Sequence, residues 1–475
     1  MAATLALGGC SMIPEMTLPG SLLPEAWRNA APAPVPAPVP AEAPSPTWWR
    51  AFNSPELNGL EDMALAGNFD LKAAVARVTQ AARQAEVAGA GLWPTLSAAA
   101  DAQRLKQSTT SRTSLSSSRI SLGNKSVPSY RAALDASYEL DFWGKNQATA
   151  EAAQATARAS VFDRDTVATT LAATVATTYF QVLSLTERLA AARELLANAR
   201  SVLSLVTTRA EAGAGSGLEV AQQRSAVALQ EAGIPALELE RARAMDSLTT
   251  LIGVPPGAVR VDGTGLGTLS LPTVAPGLPS ELLHRRPDIR RAEFDLIAAN
   301  ADIGKARAAL FPSIQLSGER GYSSRALSTL LQPSSALYTL AANLTAPIFD
   351  GGRLRGAVAV AEARREELTQ TYLQAIVNAL RDVEDALAAS RWTAEQEAAQ
   401  TAAVASAREA SRLAETRYRD GLVDYATVLD TQRTLLQSRD TLVTLRLARL
   451  DAAVGLFKAL GGGVEGWSDE RPSPP

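Results

Sequence analysis

The stretch that decides the fold is YRAALDASYELDF, Tyr130–Phe142, in which apolar residues fill the even positions and mostly polar residues the odd ones. A second stretch, YTLAANLTAPI from Tyr338 to Ile348, repeats this alternation. A period of two is the period of a β-strand, so each stretch predicts a strand with one apolar and one polar face. Shorter alternating segments precede both. We therefore predict four strands, at about 95–104, 129–142, 313–322 and 336–349.

These faces favour a membrane location. Strands of about ten residues with one apolar and one charged face are typical of a barrel wall between lipid and a wet lumen. Aromatic residues near the predicted strand ends, such as Trp93, Trp143 and Phe311, resemble interfacial girdles. An ordinary half-buried antiparallel sheet alternates in the same way and is the alternative. About eight strands are needed to enclose an interior, so four predict self-association, and a trimer would supply twelve.

The chain also carries one series of landmarks twice. Asp70 and Pro94 recur as Asp288 and Pro312 at one offset (288 − 70 = 218 and 312 − 94 = 218). Further along, Gly213 and Gly253 recur as Gly421 and Gly461 at a second offset (421 − 213 = 208 and 461 − 253 = 208). Each half therefore reads helix, strand pair, long helix, turn, helix.

The predicted long helices are longer than a compact domain requires. From Asn146 to Thr208 there is neither Pro nor Gly, and apolar residues recur at steps of three, four or seven. A helix of about sixty residues spans roughly 90 Å. We expect each long helix to pack against the shorter helix after the turn as an antiparallel coiled coil.

Composition argues against several other classes of protein. The net charge of −3 gives no basic surface for nucleic acid. One Cys and one His cannot form a disulfide framework or a Cys/His metal cluster within one chain. His284 lies beside two arginines, where a solvated helix-start residue explains it better than a catalytic role. We therefore predict a protein that is not an enzyme and needs no cofactor.

The N-terminus contains the motif Leu7-Gly8-Gly9-Cys10. It resembles a bacterial lipobox, which implies N-palmitoyl and S-diacylglycerol lipid on Cys10; a buried free cysteine is the alternative. Ser11 at the next position resembles lipoproteins of the outer membrane. Alternating prolines from Pro32 to Pro40 favour an extended polyproline conformation, which would serve as a stiff tether.

Three motifs together resemble a known family. They are LPSELLHRRPDI from Leu278 to Ile289, YELDFWGK from Tyr138 to Lys145, and APIFDGGR from Ala346 to Arg353. The chain is similar to the TolC/OprM-like outer-membrane factors, in the efflux lipoprotein branch sometimes called NodT-type, over nearly everything after the tether.

The resemblance implies a fold of mixed α and transmembrane β structure. Three copies would form a twelve-stranded β-barrel in the outer membrane, continuous with a periplasmic α-helical barrel. It also implies a lipid-anchored homotrimer that works with a periplasmic adaptor and an inner-membrane transporter of the resistance-nodulation-division class. The expected function is a passive exit duct for small molecules. A duct for type I protein secretion shares this fold, and a soluble helical scaffold is the third hypothesis.

The turns between the long and short helices, at Gly213–Gly217 and Gly421–Asp424, are the expected periplasmic aperture. By match to the family, Arg417, Tyr418, Arg419 and Asp430 occupy gate positions, and Glu219 is their acidic partner. Asp424, at the start of the next helix, is the sixth residue assigned to the gate. Purely structural roles fit several of the same residues. Ser216 and Glu219 form a capping box, Asp424 fits an N-cap, and the two arginines fit a solvated helix face.

The expected organisation follows from these observations. Residues 1–9 would be a signal-peptide remnant and 10–50 a lipid-anchored, Pro-rich tether. Residues 51–253 would be the first repeat, 254–279 an equatorial segment between repeats, 280–461 the second repeat, and 462–475 a flexible tail.

Overall fold

The computed structural model describes residues 12–16, 23–29, 45–105 and 126–462. Its helices and strands, in chain order, are α1 Pro55–Gly67, α2 Phe69–Gly89, β1 Thr95–Leu105, β2 Val127–Leu140, α3 Lys145–Glu211, α4 Gly217–Ile252, α5 Leu282–Arg285, α6 Pro287–Ala308, β3 Ser313–Ser324, β4 Ala336–Thr345, α7 Arg353–Arg419 and α8 Tyr425–Ala459. The duplicated unit is confirmed, since α2-β1-β2-α3-α4 is followed by α6-β3-β4-α7-α8.

The described residues divide into two units. The sheet unit is drawn from Met1–Leu18, Thr79–Arg158 and Phe294–Gln370. The helical unit is drawn from Pro19–Val78, Ala159–Glu293 and Thr371–Pro475. Cys10, the run from Pro32 to Pro40 and residues 463–475 lie outside the described residues.

In the sheet unit, the four strands form one antiparallel sheet in the order β1-β2-β3-β4. Three predicted strands have bounds that differ from the structure by two residues or more, and one of them, β3, ends at Ser324 rather than 322. Strand β2 covers Val127–Leu140 rather than 129–142, and β4 stops at Thr345 rather than 349. The difference at β4 has a physical cause, because Pro347 has no N–H to donate to a sheet ladder.

The two faces of this sheet differ in chemistry. Large apolar side chains on one face are strongly exposed, among them Leu96 at 72 % and Leu340 at 83 %. On the other face, Arg131 donates to Glu319 at 2.6 Å, to Asp135 at 2.6 Å and to Asp101 at 3.1 Å. The period-two pattern therefore separates a mainly apolar face from a more polar face across all four strands, and the carboxylates lie on the polar face of β1, β2 and β3.

In the helical unit, a core of aromatic and aliphatic side chains joins α1 to α3, α4 and α8. Phe52 is fully buried, with ring centroids 5.0 Å from Phe180 and 6.3 Å from Phe457. Helix α1 begins where Ser54 accepts a hydrogen bond from the Leu57 N–H, as an N-cap residue does.

The expected tether boundary at residue 50 needs correction, because part of that span is packed. Trp27 is buried and its indole N–H donates to the Gly277 carbonyl at 2.9 Å. The backbone N–H groups of Arg28 and Asn29 donate to the Glu384 carboxylate at 2.6 and 3.1 Å. A short helical turn from Trp48 to Phe52 also belongs to the core. Apolar burial and charge-assisted hydrogen bonds thus hold chain that composition alone assigned to a tether.

The two long helices, α3 and α7, have 67 residues each. At 1.5 Å per residue, each is about 100 Å long. Among the described residues, the helices include none that combines the length and apolar character required to cross a bilayer.

Burial of Glu61 in α1 makes the free energy of unfolding depend on pH. Glu61 is fully buried, neither carboxyl oxygen has a hydrogen-bond partner in the described structure, and burial together with nearby Asp62 raises its pKa from 4.5 to about 9. Between these values the folded chain keeps a proton that the unfolded chain releases. Stability from this group is therefore complete below pH 4.5 and falls as the pH rises, by up to about 1.4 kcal/mol per pH unit.

We expect Glu61→Gln, which stays neutral, to flatten the fall in thermal unfolding midpoint between about pH 5.5 and 8.5. Asp246→Asn in α4 is the control, because Asp246 is exposed and makes no ion pair within the described chain. Parallel pH profiles for wild type and Glu61→Gln would show that Glu61 does not titrate in this way.

Candidate gate at the helical turns

Both turns that join a long helix to a short one have the same backbone geometry. After α3, Gly213 has φ 74° and the Ala214 N–H donates to the Arg209 carbonyl at 2.8 Å. After α7, Gly421 also has φ 74° and the Leu422 N–H donates to the Arg417 carbonyl at 2.8 Å. A left-handed residue just past the helix end satisfies the last carbonyls, and glycine adopts it without steric cost.

The start of each short helix is capped. Ser216 accepts from the Glu219 N–H at 3.3 Å, and the Glu219 carboxylate accepts from the Ser216 N–H at 3.3 Å, which completes a capping box. Asp424 accepts from the Thr427 N–H at 3.0 Å and from its hydroxyl, and these bonds lower the pKa of Asp424. Within a single chain, Glu219 and Asp424 therefore both make the helix-capping contacts that the sequence predicts.

Glu219 also contacts Tyr418 of the second repeat. The Tyr418 hydroxyl donates to a Glu219 oxygen at 3.2 Å, and the Tyr418 side chain is buried. Arg209 lies over the Tyr418 ring at 4.7 Å from its centroid and donates to the Tyr418 carbonyl at 2.7 Å. Burial and the Glu219 charge raise the pKa of Tyr418, so its hydroxyl stays protonated and remains a donor.

A second, deeper layer lies against Tyr418. The Tyr425 ring is 5.5 Å from the Tyr418 ring, and its hydroxyl donates to the side-chain oxygen of Gln223. The Gln223 amide in turn donates to the Ala199 carbonyl at 2.7 Å. Gln223 and Tyr425 are almost completely buried, and burial raises the pKa of Tyr425. This layer therefore ties α8 to α4 and α3 by hydrogen bonds shielded from water.

The remaining predicted residues lie apart from these layers. Arg417, Arg419 and Asp430 are exposed, and within the described chain none of their side chains forms an ion pair or a hydrogen bond. The structure thus brings Glu219 and Tyr418 together, leaves Asp424 as a cap, and leaves these three without a partner in the described part of the chain. His284 is likewise exposed.

Three residues of this region were missed from the sequence. Arg209 had a signal, because it is the repeat counterpart of Arg417 (417 − 209 = 208). Tyr425 directly follows the predicted cap residue Asp424. Gln223 had no signal beyond lying one helical turn after Glu219, on the same helix face.

Comparison with known proteins agrees with this architecture. The family described as "Outer membrane efflux protein" matches residues 60–254 and 278–462. The pyoverdine export outer membrane protein OpmQ of Pseudomonas aeruginosa is 44 % identical over 475 residues, which cover 99 % of this chain and 97 % of OpmQ. The outer membrane protein OprJ of the same organism is 34 % identical, covering 98 % of this chain and 95 % of OprJ.

Solved structures give the same result. The open state of the Neisseria gonorrhoeae MtrE outer membrane channel superposes with a TM-score of 0.85 at 31 % identity, over 96 % of this chain and 98 % of MtrE. The outer-membrane channel OprN superposes with a TM-score of 0.87 at 27 % identity, over 96 % of this chain and 99 % of OprN. Since the motifs, the duplicated fold and these matches agree over nearly the whole chain, the protein belongs to the outer membrane efflux protein family, the TolC/OprM-like outer-membrane channels.

Proposed function

We propose that three copies of this chain form the passive exit duct of a tripartite efflux system. The observation that carries the proposal is the two-faced sheet, whose outer strands β1 and β4 each have one edge without a neighbour in the described chain. Unpaired strand edges are costly in lipid, and only closure removes them. Three copies supply twelve strands, enough for an open lumen lined by the polar face.

The partners we infer are a periplasmic adaptor and an inner-membrane transporter of the resistance-nodulation-division class. Relatives named for export of small molecules support efflux over the alternative, type I protein secretion. They include the pyoverdine exporter OpmQ and the toluene efflux protein TtgI of Pseudomonas putida, which is 33 % identical. Pyoverdine is therefore a suitable first cargo to assay.

The helical turns form the proposed periplasmic gate. Tyr418 and Glu219 join the two repeats within a chain, whereas Arg417, Arg419 and Asp430 are available to pair with a neighbouring copy. Exposed ion pairs are worth about 0–1 kcal/mol each, so an adaptor can exchange them at low cost. Asp424 supports the gate indirectly, by fixing the start of α8.

Lipidation of Cys10 is the proposed membrane anchor. Further along the chain, the Pro14 carbonyl accepts a hydrogen bond from the Asn300 side chain at 2.8 Å. This bond holds Pro14 against α6, the helix that leads into β3.

The first test of the duct and its gate is the pair Arg417→Gln with Asp430→Asn. Loss of contacts between copies should increase the open time of the purified protein in planar bilayers. The exposed pair Arg193–Glu238, whose atoms are 2.8 Å apart on α3 and α4, gives a matched control when both residues become Gln. Conductance equal to that of wild type would remove Arg417 and Asp430 from the gate, and no conductance in any variant would contradict the duct itself.

Tyr425→Phe tests the inner layer. The ring packing is kept, but the Gln223 oxygen loses its buried partner, which costs about 1–3 kcal/mol. We expect a lower thermal unfolding midpoint together with a higher leak current. Tyr372→Phe serves as control, since Tyr372 is buried in α7 and its hydroxyl has no hydrogen bond in the described chain. Equal behaviour of the two variants would argue against a role for the Tyr425 hydroxyl.

Cys10→Ser tests the lipid anchor. Because Cys10 is the only cysteine of the chain, palmitate labelling of the wild type reports on the N-terminus alone. We expect labelling to disappear while heat-labile oligomers persist in outer-membrane extracts. Labelling that survives the substitution would refute the lipobox.

A further inference from the structure

Two arginines lie on the mainly apolar and otherwise uncharged face of the sheet. In the described strands, the side chains of this face include no Asp or Glu, and the basic residues among them are Arg104 and Arg320. Arg104 donates to the Ser126 hydroxyl at 3.1 Å. Arg320 is exposed and makes neither an ion pair nor a side-chain hydrogen bond within the described chain.

The contrast with Arg131 shows that this arrangement is unusual for the sheet. Arg131, on the polar face, has three carboxylate partners within 3.1 Å. Arg320 occupies the opposite face, one position along β3 from Glu319. A guanidinium keeps its charge under physiological conditions, so Arg320 requires an anion or water from outside the chain.

The surroundings of Arg320 suit an amphiphilic ligand. Tyr338 lies opposite in register on β4 and is 82 % exposed, and Tyr322 follows two residues along β3 on the same face. Small residues, among them Ala98, Ala132 and Gly318, contribute to a concavity of about 1310 Å³ that Arg320 and both tyrosines also line. Arginine flanked by exposed tyrosines on an apolar surface is typical of the boundary between acyl chains and headgroups.

The connections between the helices and strands indicate on which side of the membrane this boundary lies. Helices α2, α3, α6 and α7 connect to one end of the sheet, and the β1–β2 and β3–β4 connections lie at the other. Because members of this family extend into the periplasm from the outer membrane, the helical end faces inward. Arg320 lies in the half of β3 nearer the β3–β4 connection, so its long side chain can reach the outer leaflet.

We propose that Arg320 binds a phosphate of an anionic lipid in the outer leaflet, with Tyr322 and Tyr338 contacting the sugar or acyl part of the same molecule. The planar guanidinium suits bidentate binding of phosphate oxygens. This inference rests on the proposed assignment of the apolar face to lipid, and is independent of the gate.

The test compares wild type with Arg320→Gln in neutral detergent, using native mass spectrometry to measure retention of diphosphoryl lipid A. We expect about tenfold weaker apparent affinity for the variant, as loss of a charge-assisted phosphate contact predicts. Arg241→Gln, the same charge change at an exposed position of α4, should bind like the wild type. Inorganic phosphate should not compete at millimolar concentration, and lipid A stripped of phosphate should bind both proteins equally weakly.

The outcomes are separable. Equal retention of diphosphoryl lipid A by wild type and Arg320→Gln, or equal loss in Arg241→Gln, would overturn the site, and competition by inorganic phosphate would replace the lipid with a free anion. Planar-bilayer conductance of Arg320→Gln should match that of wild type. If neither protein conducts, the proposed duct is contradicted. The lipid measurement can still be interpreted, because lipid binding requires only the exposed apolar face.

Discussion

The unpaired backbone edges of β1 and β4 are the constraint on which the rest of the protein depends. A strand of ten or eleven residues presents a row of N–H and C=O groups, and lipid provides no partner for them. The apolar face adds a second requirement, since several of its large side chains, such as Leu96, Leu340 and Tyr338, are exposed in the single chain. Edge pairing between copies and burial of that face in lipid resolve both problems together.

The two repeats have turns of the same geometry, but the residues around the turns differ and supply complementary chemistry. Ser216 and Asp424 lie at equivalent positions (424 − 216 = 208), and both cap a helix. Tyr425 instead has Gly217 as its counterpart (425 − 217 = 208). The second repeat therefore contributes the aromatic donors, and the first contributes the acceptors Glu219 and Gln223. The contacts between repeats depend on this asymmetry.

Local patterns in the sequence were sufficient for the strands, the helices and their duplication, because period and capping depend on neighbouring residues. The failures involve distant partners. Trp27 is buried by its hydrogen bond and packing near Gly277, which lies 250 residues away along the chain. From the sequence alone, Gln223 cannot be distinguished from other polar residues of a helix, because its partner Tyr425 is distant along the chain. The proposed roles of Arg417, Arg419 and Asp430 depend on residues of other copies, which one chain cannot supply.

The energetic order of contacts at the turns indicates how the proposed gate opens. Breaking the buried bond between Tyr425 and Gln223 leaves a desolvated acceptor and costs about 1–3 kcal/mol, whereas an exposed ion pair costs at most about 1 kcal/mol. The apolar cluster around Val206 and Val428 adds to the inner resistance. The proposed contacts between copies are therefore the weakest ones, and we propose that opening begins there. The helix ends of each chain would then move together until the inner layer yields.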